Sequence, residues 1–118
     1  MEERILVMNN SRFHEQKVDD HWQVKAMKRE AMEPGRIPPG AYSLSGATPA
    51  DTKAKGNYEG VVVHADSKNV YQATGQNEVT SHEIGRFKNP PAIGQQVAIA
   101  YQYDRAQIRG RDDKEQER

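Results

Sequence analysis

Histidine has the widest chemical use of the side chains in this sequence, and it occurs four times, at His14, His21, His64 and His82. A neutral imidazole can act as a general base or bind a metal, but a metal site needs three or four ligands with supporting hydrogen bonds. His64 and His82 could meet with Glu83 as a third ligand, yet no short ligand spacing supports such a site, and the chain has no cysteine. We therefore expect no metal site and no cofactor.

A catalytic role for His64 or His82 as a base is the weakest hypothesis that the sequence leaves open. Asp66 follows His64 by two residues, so both would share a face of a continuing strand, but an aspartate there is better suited to opening a turn. The chain contains no GxSxG, no HExxH, no phosphate-binding loop and no dinucleotide fingerprint. These patterns predict a protein that is not an enzyme.

The segments around His64 and His82 are predicted to form two consecutive β-hairpins, because short apolar runs alternate with turn-forming residues. The three strands are Val61–Ala65, Val70–Thr74 and Glu78–His82. A four-residue loop, Asp66 to Asn69, joins the first two strands, and Gly75-Gln76 forms the tight turn before the third.

The loop lengths predict how these strands pair. His64 should lie opposite Tyr71, Val63 opposite Gln72, and Tyr71 opposite Thr80. The expected core face carries Val61, Val63, Val70, Gln72 and Val79, and a buried Gln72 would need a hydrogen-bond partner. The other, more polar face carries His64, Tyr71, Thr80 and His82, which we interpret as a candidate contact surface. Cross-strand pairing within the sheet is the alternative role for these four residues.

A second candidate surface combines aromatic and cationic residues near the C-terminus: Tyr101, Tyr103, Arg105 and Arg109. Tyrosines interleaved with arginines can stack on bases and neutralise phosphates, and the same residues are favoured anchors of protein interfaces. The sequence therefore indicates a nucleic acid or a protein as the partner of this surface. In the alternative, Tyr101 belongs to the core and the arginines are solvated.

The composition is that of one small domain without a membrane segment. The 118 residues are 35% hydrophobic, the mean hydropathy is −0.99 and the formal net charge is zero, which weakens the case for strong nucleic-acid binding. No apolar run approaches the roughly 20 residues that a membrane helix needs, and the acidic start MEERILVMNN does not resemble a signal peptide. Together with the absence of cysteine, these features predict a cytoplasmic protein.

Valine and isoleucine far outnumber leucine, which favours strands over helices. Further strands are predicted at Ile5–Met8, from Trp22 to Ala26, at Ala41–Leu44, at Gln95–Tyr103 and at Ala106–Arg109. A loop is predicted over 45–57, and a single helical turn or an irregular link in EIGRFKNPP. We predict a mainly β fold, either a small barrel or a strongly bent antiparallel sheet of SH3-like or OB-like size, with room for one short helix. The domain covers residues 1–109, and a charged, disordered tail follows at 110–118. A longer helix over residues 11–31 is the alternative.

Several scattered side chains resemble the KfrB-like domain of plasmid-encoded proteins. That pattern has an aromatic-x-Leu-x-x-Ala entry, a hairpin ending in Val-Tyr-Gln, a histidine at the end of the next strand, and a Pro-x-x-Gly-x-x-Val-x-Ile-x-Tyr close. The matching residues are Tyr42, Leu44, Ala47, Val70, Tyr71, Gln72, His82, Pro91, Gly94, Val97, Ile99 and Tyr101. The resemblance covers residues 40–108, and it departs at Gln102-Tyr103-Asp104-Arg105, where the pattern has a glycine-rich turn.

The resemblance implies an accessory module of plasmid maintenance or conjugation proteins, sometimes fused to a relaxase, that brings no enzymatic activity with it. The partner it implies is another protein, encoded by the plasmid or by the host, and the module could act by restraining that host protein. The second hypothesis is a small-barrel nucleic-acid-binding protein that uses the tyrosines and arginines of the C-terminal surface. The sequence leaves the oligomeric state open.

Overall fold

The computed structural model describes residues 2–8, 11–29, 37–53, 56–75 and 78–108, and these form two packed β-sheets. The first sheet is antiparallel and has the strand order β3-β2-β1-β4. Its strands are β1 (Glu3–Met8), β2 (Ser11–Val18), β3 (His21–Arg29) and β4 (Gly40–Ser43). We call it the N-terminal sheet.

The second sheet has six strands in the order β10-β9-β6-β7-β8-β5, and we call it the C-terminal sheet. Its strands are β5 (Thr48–Pro49), β6 (Tyr58–Ala65), β7 (Asn69–Gly75), β8 (Glu78–Glu83), β9 (Gln96–Gln102) and β10 (Arg105–Ile108). All of its pairs are antiparallel except β5 with β8. A single 3₁₀ turn, Ile84–Arg86, links β8 to the rest of the chain.

The C-terminal sheet buries apolar side chains on both of its faces. Ile5 and Val7 of β1 pack with Val61 and Val63 of β6 in the cluster that joins the two sheets. On the opposite face, a second cluster contains Val62, Val70, Phe87, Val97 and Ile99. Strand β6 therefore supplies consecutive valines to two separate cores, which explains why Val61, Val62 and Val63 form an unbroken apolar run.

The mainly β class is confirmed. The described strands form two open sheets and not a closed barrel, and strand β6 pairs through its first half with β9 and through its second half with β7, which is compatible with strongly bent sheets. The helical turn in EIGRFKNPP is also confirmed at Ile84–Arg86. In the described part of the chain, no helix is long and apolar enough to span a membrane. The predicted tail at 110–118 lies outside the described residues.

The alternative helix over residues 11–31 is wrong, because this segment contains the β2–β3 hairpin. Its turn is formed by Asp19 and Asp20, whose φ angles of 52° and 66° are left-handed. Aspartate tolerates this conformation better than most residues, and two successive left-handed residues match the twist of a tight hairpin. The predicted strand from Trp22 to Ala26 is confirmed within β3, whereas β2 had not been predicted.

The predicted pairing of the central hairpins is partly wrong, because each hairpin contains a β-bulge. His64 pairs with Tyr71 as predicted, but Gln72 lies opposite Val62, since the chain gains one unpaired residue at Val63. A second irregularity, at Thr74, shifts the next hairpin by one residue. Tyr71 therefore lies opposite Ser81, and Gln72 lies opposite Thr80.

Candidate functional site

The irregularity at Thr74 separates the four residues of the first predicted contact surface into two pairs. His64 and Tyr71 lie on the face of the C-terminal sheet that packs toward the N-terminal sheet, where Tyr71 joins the inter-sheet core. Thr80 pairs with Gln72 and His82 pairs with Val70, so both are directed to the opposite face, where they are buried. The structure keeps His64 and Tyr71 together but does not bring Thr80 and His82 to them.

His64 sits in a polar cluster between the sheets. Its ring centroid is 4.7 Å from that of His14 and 5.8 Å from that of Tyr71. Nη1 of the buried Arg12 lies 3.5 Å from His64 Nδ1, and His14 Nε2 is 2.8 Å from an oxygen of Glu3. Burial, and then the positive charges of His14 and Arg12, lower the pKa of His64 to about 4. His64 is therefore neutral near pH 7, and this cluster is partly enclosed by protein.

His82 anchors a buried hydrogen-bond network on the other face. The Gln72 amide nitrogen donates to the carbonyl oxygens of Tyr58 at 3.0 Å, Gly60 at 3.2 Å and Val97 at 3.0 Å. This arrangement fixes the orientation of the amide, so its oxygen accepts from His82 Nε2 at 2.9 Å. The predicted need of Gln72 for a buried partner is confirmed.

The orientation of Gln72 also sets the tautomer of His82. Because Nε2 carries the proton, Nδ1 accepts from the Tyr101 hydroxyl, which lies 2.7 Å away. Burial lowers the pKa of His82 to about 4 and raises the pKa of Tyr101 to about 12. Both ring nitrogens of His82 are hydrogen-bonded to protein groups, so neither has a lone pair free to bind a metal or a substrate. The role of this imidazole is structural, since it links β7, β8 and β9.

The network predicts a pH dependence of folding. An unfolded histidine has a pKa of about 6.5, and in the folded chain the pKa of His82 is about 4, so the unfolded state binds more protons between these values. The His82 contribution is complete above about pH 6.5 and is lost as the pH falls toward 4. The loss of unfolding free energy due to His82 should reach about 3 kcal/mol, measurable by urea denaturation across this range in a His64→Gln variant, because His64 has a similarly lowered pKa and would add its own loss.

The direct check is the titration of the His82 ring followed by NMR. The ring should stay neutral down to about pH 4, and a His64→Gln variant separates its signal from that of the second histidine with a lowered pKa. Titration of the His82 ring near 6.5 in the folded protein would contradict the network.

The second predicted surface is also divided by the structure. Tyr101 is half-buried and its hydroxyl is bonded to His82, while Tyr103 is 90% exposed at the tip of the β9–β10 hairpin. Tyr103 and Asp104 have φ angles of 55° and 64°, in the left-handed region that glycine adopts most easily. This explains why the KfrB-like pattern has a glycine-rich turn at this point. Arg105 is exposed beside the turn, and Arg109 lies outside the described residues.

The sequence did not reveal a third surface, on the outer side of the N-terminal sheet. Ile5 and Val7 point into the core, so the alternate residues Leu6 and Met8 point outward. One apolar row crosses all four strands on this side, because Leu6 pairs with Phe13 and with Ala41, and Phe13 pairs with Met27. Three of the side chains on this side keep much of their surface exposed: Met8 by 45%, Val24 by 54% and Met27 by 51%. We call this the outer face.

A charged row borders the apolar row. Arg4 Nε donates to an oxygen of Glu15 at 2.7 Å, and the Arg4 guanidinium lies 4.1 Å from the centre of a Trp22 ring. Lys17 approaches the same indole. The outer face therefore combines exposed aliphatic and sulfur-containing side chains with an oriented arginine and a tryptophan. The residues of β2 show no regular apolar alternation, which is why the sequence did not predict this strand or its face.

The comparisons with known proteins cover both sheets. The KfrB domain family matches residues 57–110, which contain strands β6 to β10. The chain is also similar to Protein TraB of Escherichia coli, with 32% identity over 114 residues that cover 96% of this chain and 75% of that protein. Because nearly all of the chain is aligned, this similarity extends over the N-terminal sheet. The chain therefore belongs to the KfrB family of plasmid-encoded proteins.

Proposed function

We propose that the chain is a non-enzymatic binding module that acts in the cytoplasm through protein contacts made by its outer face. The contact serves plasmid maintenance, conjugation or the control of a host protein. The observation that carries the proposal is the apolar row from Met27 through Phe13 to Leu6, which remains partly open to solvent on a sheet whose other side is a packed core. Contiguous apolar surface of this kind typically marks an interaction site.

The residues beside the row favour a protein as the partner. Trp22 and Arg4 stack on each other, and tryptophan and arginine are the residue types that most often dominate binding energy at protein interfaces. The Arg4–Glu15 ion pair holds the guanidinium in place before binding, so less side-chain freedom is lost on association. Exposed methionines at positions 8 and 27 adapt their shape to a partner surface.

The two histidine environments support a role without catalysis. Lowered pKa values often mark active sites, but His82 has both nitrogens bonded inside the protein and His64 is packed between the sheets. Within the described ranges, no group of three or more acidic, histidine or cysteine side chains could hold a metal ion. The shifted pKa values are explained by burial in the fold.

Charge substitutions on the outer face should abolish partner capture. The double variant Val24→Glu and Met27→Glu places two carboxylates on half-exposed positions of β3, where it should cost little stability. A partner that buries these side chains would have to desolvate both charges, so its affinity should fall by a factor of about 100. The measurement is quantitative capture of a specific protein from cells that carry the parent plasmid.

Tyr103→Ser is the matched control, since it removes a large exposed side chain from the other sheet and should leave capture unchanged. Equal capture by wild type and the double glutamate variant would show that the outer face is not the binding surface. If the wild-type protein recovers no specific protein, the proposed function itself fails.

A second candidate function, binding of single-stranded nucleic acid, rests on Tyr103. This side chain is 90% exposed on a left-handed backbone that bulky residues seldom adopt, and Arg105 follows it directly. An exposed ring beside an arginine can stack on a base. Tyr103→Ser should then weaken binding of an oligonucleotide by a factor of about 10, measured at about 50 mM salt, while the outer-face variant binds as wild type does. No binding by the wild-type protein under this condition would eliminate this function.

A further inference from the structure

We infer that the open edge of β3 accepts an extended segment of the partner protein, in which apolar and acidic residues alternate. The inference rests on the proposed function, because it specifies the chemistry of the protein that the outer face binds. Strand β3 has nine residues and stands at the end of the strand order, so no described strand pairs with its second edge. Its backbone groups along that edge can bond to an added strand.

The exposure of β3 makes this edge accessible. Every residue from Gln23 to Lys28 is exposed, and Trp22 is half-buried against Arg4 and Lys17. An added strand would extend the N-terminal sheet, so its alternate side chains would lie beside Trp22, Val24 and Met27 on the outer face. These positions call for apolar residues, and the added strand would continue the apolar row by one more strand.

The charge of β3 indicates which residues stand between the apolar residues of the added strand. The strand carries Lys25, Lys28 and Arg29 and has no acidic residue. Opposite charges on neighbouring strands are favourable and like charges are unfavourable. Carboxylates flank β3 in sequence at both ends, with Asp19 and Asp20 at the turn that precedes it and Glu30 directly after it. The acidic residues of the added strand are therefore expected beside Lys25 and Lys28, within β3.

A second copy of the chain is a poor occupant of the same edge. Lys25 is the middle residue of β3, so antiparallel pairing of two copies would bring Lys25 against its own counterpart and would place the other cations nearby. Lys25 is also the extra residue of a bulge, since Val24 pairs with Glu15 and Ala26 with His14. This bulge hinders the addition of any strand, so the charge of the lysines is what discriminates against a second copy. An acidic segment avoids the charge penalty.

The test uses a defined peptide and not an unknown partner. The probe is a peptide of nine residues in which glutamate and valine alternate, matched to the length of β3. One control peptide replaces glutamate with lysine, and a second carries N-methyl groups on alternate backbone nitrogens. Trp22 is the single tryptophan of the chain and lies on β3, so its fluorescence reports binding directly. Hydrogen exchange of the β3 amides reports whether a strand has been added.

The glutamate peptide should bind at least about 10 times more tightly than either control peptide and should slow exchange along β3. The variant Lys25→Glu with Lys28→Glu should reverse the preference, so that the lysine peptide binds more tightly. Lys68→Glu, a charge change on an exposed loop residue of the C-terminal sheet, should leave the preference unchanged.

Equal binding of the N-methylated peptide would overturn the inference, because the contact would then be ion pairing without strand addition. Absence of binding at about 1 mM peptide would overturn it as well, whereas loss of capture by the outer-face double variant would still support the proposed function. Protection of β3 by self-association of the chain would show that a second copy occupies the edge. If the peptide binds but no cellular partner is captured, the strand acceptor is real and the proposed function fails.

Discussion

Replacing Gly60 with alanine should lower the free energy of unfolding by roughly 3 kcal/mol or more, which leaves little folded protein. Gly60 has a φ of 154°, a region that L-residues rarely adopt. A methyl group on its Cα would overlap the carbonyl oxygen of Ala73 and would lie 2.8 Å from the carbonyl carbon. Both atoms belong to the backbone of β7, so no side-chain rotation relieves the overlap.

The position of Gly60 explains why this contact is so close. Residues 58–61 of β6 pair with β9, and from Val61 onward the strand pairs with β7, so Gly60 lies directly before the point at which the pairing passes from β9 to β7. Its carbonyl oxygen also accepts from the Gln72 amide. An alanine would therefore strain the backbone, separate β6 from β7 and disturb the buried network together.

Thermal or urea denaturation of Gly60→Ala measures the effect, and Gly85→Ala is the matched control. Gly85 lies in the 3₁₀ turn, and a methyl group there would meet no atom within 4 Å. The control should remain within about 0.5 kcal/mol of the wild-type stability. Wild-type stability in Gly60→Ala would mean that β6 does not approach β7 as closely as the structure shows.

The hairpin of β6 and β7 shows which part of the strand pairing could be predicted from local sequence patterns. The pairing of His64 with Tyr71 was predicted because Asp66 specifies the loop: its carboxylate accepts from the backbone nitrogens of Lys68 at 2.8 Å and Asn69 at 2.7 Å. One residue further from the loop than His64, the prediction fails at Val63, where a bulge inserts an unpaired residue. The sequence does not distinguish a valine in a bulge from the other valines of the strand, so no local signal marks the change in pairing register.

The second irregularity, at Thr74, decided where the other half of the predicted site lies. It shifts the register of β8 by one residue, so Thr80 and His82 lie on the opposite face from Tyr71 and are buried. The need of Gln72 for a partner was predicted from its polarity alone, because a buried amide must be satisfied wherever it points. The identity of that partner depends on the long-range pairing, which sequence spacing does not contain.

The outer face was missed for a different reason. Its apolar row joins residues from β1, β2, β3 and β4, and strand β2, which lies inside the row between β1 and β3, was not predicted. In β2 the charged Arg12 is buried on the inner side, and the apolar Phe13 faces outward. This reversal of the usual pattern conceals the strand and, with it, the surface that we propose for binding.

Replacing Gln72 with leucine should destabilise the protein by about 3 kcal/mol or more, although leucine fills a similar volume. The substitution removes the acceptor for His82 Nε2–H and the donor to three backbone carbonyls, and all of these groups lie in or beside a buried core. Leaving such groups without partners costs more than the hydrogen bonds contribute when they are formed. Urea denaturation near pH 7 measures the loss.

A double-mutant cycle separates this effect from a simple change in packing. If His82→Leu is added to Gln72→Leu, the orphaned imidazole proton disappears, so the double variant should lose less stability than the two single variants together. Gln96→Leu, at an exposed position of β9, is the control and should remain within about 0.5 kcal/mol of wild type. Strict additivity of the two buried substitutions would show that Gln72 and His82 are not coupled, and the tautomer assigned to His82 would lose its basis.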